Sequence, residues 1–179
     1  ANVSMINVAA ANAPAVLAFN NAKGLFSNED RRQAVSYALD YDAFKTYFGS
    51  AYAEIPNRGF VPATTVGYKE TEKLTTDASK ADAYMKAAGY AEKNADGFYV
   101  NADGQVAAFT LTVNAAKETH VGDAEMVKTQ LESFGIQVNL DTVDKDAYNA
   151  KTSNKFSENN ITMEAAIYGY TAAGMGIGN

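Results

Sequence analysis

Residues 25–48 read LFSNEDRRQAVSYALDYDAFKTYF, and the class of the fold turns on how that stretch is parsed. It predicts two consecutive helices separated by a charged break. Ser27 is placed to cap the first, and Asp30 three residues later completes a start like a capping box, with its negative charge at the helix N-terminus. Ala34, Val35, Ala38 and Leu39 then recur at helical spacing as one apolar stripe. Asp40 or Asp42 can cap the second helix, Phe44, Tyr47 and Phe48 give it an apolar face, and Gly49 stops it.

Outward from this pair, strands and helices alternate. Val3–Val8 and Ala15–Phe19 read as short strands on the N-terminal side. On the other side, Ser50–Thr76 keeps no period and is punctuated by Pro56, Gly59, Pro62 and Gly67, which marks a long connection. Asp77 is expected to cap a helix running to Ala88 with Gly89 as its stop. Asp96-Gly97 and Asp103-Gly104 flank a short strand at Phe98–Val100. Val106–Val113 alternates, with Phe109, Leu111 and Val113 on one face. A helix from about Gly122 to Phe134 ends at Gly135, and Ile136–Leu140 alternates as a half-buried strand. Asp144–Thr152 reads as a short helix, Lys155–Asn160 as a polar loop, Thr162–Tyr170 as a last strand, and Thr171–Asn179 as a loose, glycine-rich end. Helix–glycine–strand joins at Gly89 and Gly135 imply helices packed on a sheet. The expected fold is α/β, a mixed β-sheet flanked by helices, in a single domain over residues 1–179.

Composition narrows the function. The chain has 179 residues, enough for one well-buried core, and 47% apolar content is a globular value. Fifteen basic against 21 acidic residues speak against a nucleic-acid or anionic-membrane surface. Zero cysteines exclude disulfides, thiolate metal ligands and cysteine nucleophiles. No signal peptide is read at Ala1, so a mature form or an excised piece is expected.

The chemistry-bearing residues are sparse. One histidine, His120, rules out a histidine-rich metal site or a relay within this chain, and it leaves the serines without a nucleophilic triad. Asp141, Asp144 and Asp146 do not match an EF-hand, and acidic residues at a helix start explain them better. Gly174-Met175-Gly176-Ile177-Gly178 lacks the flanking strand and helix of a dinucleotide loop. No catalytic residue, metal ligand or cofactor is therefore assigned. Asn114, Lys117 and His120 follow a strand, and such loops in open α/β sheets either face a ligand crevice or sit in solvent and cap the next helix. Arg32 is read as structural, paired with Asp40 or another nearby acid.

A family resemblance sharpens this picture. Phe19-Asn20, Phe26, Asp30-Arg31-Arg32-Gln33-Ala34 and Tyr37-Ala38-Leu39-Asp40 resemble the family 5 extracellular solute-binding proteins, the peptide, nickel and oligosaccharide receptors of ABC importers. Asp77-Ala78-Ser79-Lys80-Ala81, Ala88-Gly89-Tyr90 and the run VKTQLESFGIQVNL from Val127 to Leu140 resemble it in the same order. The resemblance implies one lobe of a two-lobed receptor that closes on an oligopeptide or similar solute. It further implies docking on ABC permease subunits, an extracellular or periplasmic site, and a membrane lipid anchor outside this chain. In the family the last strand commonly ends in Gly-Trp, with an aspartate soon after that holds a peptide's amino group in many members. Here Tyr168-Gly169-Tyr170 stands in that place, and Thr171–Asn179 carries no acid. The resemblance thus implies an aromatic wall at Tyr170 and Tyr168 without the amine anchor. Other classes consistent with the sequence are a small α/β enzyme of unknown chemistry and a receptor descendant used for adhesion or signalling.

Overall fold

The structure, a computed structural model, describes residues 13–49, 51, 53–58, 68–152 and 161–170. The predicted Val3–Val8 strand, the Lys155–Asn160 loop and the Thr171–Asn179 end lie outside the described residues.

The elements run β1 (Ala13–Phe19), a 3-10 turn (Gly24–Ser27), α1 (Glu29–Ala38), α2 (Tyr41–Tyr47) and α3 (Ala78–Ala87). Then come β2 (Glu92–Lys93), β3 (Tyr99–Val100), β4 (Ala108–Asn114), α4 (Glu118–Phe134), β5 (Gln137–Val143), α5 (Lys145–Thr152) and β6 (Ala165–Tyr170). Four strands form a mixed sheet in the order β1-β6-β4-β5. β4 runs parallel to both β5 and β6, while β1 is antiparallel to β6. The short β2 and β3 pair separately, antiparallel.

The alternation in β4 sorts the two faces of the sheet. Phe109, Leu111 and Val113 are buried with Val138, Ala165 and Ile167 beneath Ala34, Val35, Val127 and Leu131 of α1 and α4. Phe26 anchors that layer: its ring stacks on Phe19 at 4.2 Å and meets Phe109 edge-on at 4.7 Å. Such pairs add to area burial because ring edges and faces carry opposite partial charge. The other face of β4 is linked to α5 through Asp141 of β5. Thr112 Oγ1 donates to Asp141 Oδ2 at 3.1 Å, and Lys151 Nζ pairs with the same oxygen at 2.5 Å. The sheet therefore carries helices on both sides.

Most helix ends follow the sequence reading. Asp40 accepts the Ala43 N–H and Asp77 the Lys80 N–H, both at 3.0 Å. Three expectations are corrected. Asn28, not Ser27, caps α1, accepting the Arg31 N–H at 3.1 Å. Ser27 belongs to the preceding 3-10 turn, which buries Leu25 and Phe26, and its hydroxyl donates to the Gly24 carbonyl. Among the described residues Arg32 pairs with no acid; its Nη1 donates to the Phe26 carbonyl at 2.7 Å and ties α1 to that turn. α4 begins at Glu118 rather than near Gly122, so the glycine read as a helix start is an interior residue. An acidic first-turn residue and the burial of Ala124, Val127 and Leu131 sustain the helix through it.

Candidate functional site

Parallel pairing gathers three strand ends on one side of the sheet. β4 ends at Asn114, opposite Val143 of β5, and β6 ends at Tyr170, opposite Ala13 of β1. Crevices for ligands in open α/β sheets form outside the carboxyl ends of such strands.

Asn114 shapes that end rather than reaching out from it. It is 8% exposed, and its Oδ1 accepts the Ala116 N–H at 3.0 Å. Its carbonyl accepts the Lys117 N–H at 3.0 Å, and the next residue, Ala115, donates to the Val143 carbonyl. The asparagine thereby folds the chain from β4 into α4. Lys117 is the exposed residue before α4 and supplies no side-chain cap. His120 lies in the first turn of α4, not in the loop where the sequence reading put it, because the helix starts earlier than expected.

Tyr168 is half-buried in β6, opposite Val16 of β1. α5 lies close to it: Tyr148 Oη donates to the Ile167 carbonyl at 2.6 Å. Burial, and then the neighbouring Tyr168, push the Tyr148 phenol above its ordinary value. Tyr170 closes the strand in register with Ala13, and its side chain is outside what the structure describes. The backbone thus brings Asn114, Lys117, His120, Tyr168 and Tyr170 to one end of the sheet.

The acidic residues after β5 have structural partners. Asp141 takes Lys151 and Thr112, and Asp144 accepts the Ala147 N–H at 2.8 Å as a helix cap. Among the described residues no group of three or more His, Cys, Asp or Glu side chains could hold a metal ion.

Two features escaped the sequence reading. Asp123 in α4 is 1% exposed with neither carboxylate oxygen hydrogen-bonded, and burial pushes its pKa up to about 6. Its only trace in the sequence is an acid on a helix face otherwise marked by Ala124, Val127 and Leu131. Tyr47, expected on the buried face of α2, is 46% exposed and rests on α4 at Gly122. The sequence reading placed Gly122 at the helix start, so this contact left no sign there.

Comparison with known proteins agrees with this architecture. A family model described as bacterial extracellular solute-binding proteins, family 5 Middle, matches residues 2–172. A probable ABC transporter-binding protein from Deinococcus radiodurans is 25% identical over 158 residues, spanning 84% of this chain and 25% of its own length. The oligopeptide-binding protein AppA from Bacillus subtilis, solved with a nonapeptide, superposes with a TM-score of 0.77 at 23% identity, over 91% of this chain and 32% of AppA. NikZ from Campylobacter jejuni, solved with Ni(L-His), gives 0.69 at 20% identity, over 90% of this chain and 30% of NikZ. At such identities the structural likeness establishes the fold. The chain spans between a quarter and a third of the length of these relatives.

Proposed function

Because the chain belongs to the family 5 bacterial extracellular solute-binding proteins, a family of binding proteins rather than enzymes, we propose that it is one lobe of an ABC-importer receptor and that its solute is an oligopeptide. The observation that carries this reading is the gathering of the β4, β5 and β6 ends at Asn114, Val143 and Tyr170. That end offers backbone groups, a lysine, a histidine and two tyrosines, which suits a ligand held by hydrogen bonds and ring contacts. The peptide bound by AppA supports the ligand class.

In this account the other lobe closes over the solute, and the closed form docks on the permease. Each lobe supplies part of the contact surface, so this one alone binds weakly: it loses the burial that closure adds. The full-length protein works outside the cytoplasmic membrane, held there by a lipid anchor beyond this chain. Residues 171–179 carry no carboxylate side chain. An ammonium buried without a carboxylate or several acceptors costs several kcal/mol, so a free α-amino group is not what this segment recognises.

Calorimetry on the full-length receptor tests the reading, using a nonapeptide with a free N-terminus and its N-acetylated counterpart. Saturable binding of both with similar affinity is expected. Binding of neither would overturn the peptide assignment. A loss of about 3 kcal/mol or more on acetylation would place an amine anchor elsewhere in the receptor.

A further inference from the structure

We propose that Tyr47 is a ligand-contacting residue at the rim of this sheet end, where its ring takes an apolar side chain of the bound peptide; the inference rests on the peptide-receptor reading above. Tyr47 closes α2 and is the one large hydrophobic side chain that stands exposed among the described residues, at 46%. Two contacts hold its ring in place. Phe48 meets it edge-on, with centroids 5.3 Å apart and planes at 76°. Its hydroxyl occupies the space that a Cβ on Gly122 would need.

The glycine is informative because a helix interior disfavours it by about 1 kcal/mol relative to alanine. Gly122 lies in the second turn of α4, and the missing side chain is what lets Tyr47 seat there. At about 1.5 Å of rise per residue, Gly122 is only about 3 Å along the axis from His120. Tyr47 therefore stands at the same end of α4 as Lys117 and His120, with Gly122 turned about 200° around the helix axis from His120.

One ring is a small surface. A stable protein partner covers roughly 800 Å² on each side, whereas a single exposed tyrosine matches one side chain of a bound peptide. The flat face supplies apolar contact without requiring a particular residue, and the ring is already held in position.

The test uses the full-length receptor, a leucine-containing nonapeptide, and versions of it with glycine substituted at one position at a time. Tyr47→Ala is expected to weaken binding of the parent peptide by about tenfold, with Tyr47→Phe close to wild type. One glycine substitution should cost much less in Tyr47→Ala than in wild type, which identifies the side chain that meets the ring. Gly122→Ala keeps the ring but displaces it, and is expected to weaken binding in the same direction. Wild-type binding that Tyr47→Ala and Gly122→Ala both leave unchanged would overturn this role for Tyr47 and leave the receptor reading standing. A wild-type receptor that binds none of the nonapeptides would overturn the peptide reading, and this inference with it.

Discussion

Asp123 sits one helical turn beyond His120 in α4, buried to 1% exposure with both carboxylate oxygens unbonded. Burial disfavours its ionised form and lifts its pKa from 3.8 to about 6, while charge on His120 acts weakly in the opposite sense.

The sign of the resulting pH dependence follows from linkage. A carboxyl whose folded pKa is raised is ionised at a cost, so its contribution to stability is present below about pH 4 and is lost as pH rises through about 6. Asp123→Asn removes that ionisation. Urea denaturation at several pH values should show the variant gaining about 2 kcal/mol on the wild type between pH 4 and pH 7. Parallel curves for the two proteins would show that Asp123 has a partner for its charge.

Glu164 ties the start of β6 to β4, since its Oε2 accepts the Thr110 N–H at 2.6 Å. Removing the carboxylate leaves a partly buried donor without an acceptor. Glu164→Ala is expected to cost about 1–3 kcal/mol, read as a lower urea midpoint at unchanged slope, and Glu164→Gln should cost less because it keeps an acceptor.

Two glycines after helices separate backbone strain from crowding. Both have positive φ, +90° at Gly89 and +123° at Gly135. A Cβ at Gly89 meets nothing within 4 Å, whereas one at Gly135 falls 2.9 Å from the Gly97 carbonyl oxygen and 3.0 Å from Tyr99 Cδ2. Gly89→Ala should therefore cost about 1–2 kcal/mol from conformation alone. Gly135→Ala should cost about 1–3 kcal/mol more, from overpacking against backbone that cannot move aside. Equal thermal shifts in the two variants would contradict the packing described around Gly135.

Much of the fold could be read from local pattern. The alternation of Phe109, Leu111 and Val113 marks the buried face of β4, and Asp40, Asp77 and Asp144 cap helices where short polar side chains are expected. What could not be read depends on long-range pairing. Nothing local to Ala13–Phe19 says that it lies antiparallel to Ala165–Tyr170, or that β6 comes between β1 and β4. The site was partly legible for the same reason. Asn114, Lys117 and His120 follow a strand, but that β6 ends on the same side of the sheet comes from the parallel register of β4 and β6. Tyr47 was misread because an aromatic at helical spacing normally faces a core, and α2 has no buried residue. The order of family motifs carried the functional reading further than any single spacing did.

The central claim is that solute is held at the carboxyl ends of β4, β5 and β6. A crystal structure of the full-length receptor with a bound nonapeptide tests it most directly. The account predicts peptide lying across that sheet end, within contact distance of Lys117, His120, Tyr168 or Tyr170, and covered by the second lobe. Peptide bound wholly to the other lobe, or on the α1 and α3 side of this one, would contradict it.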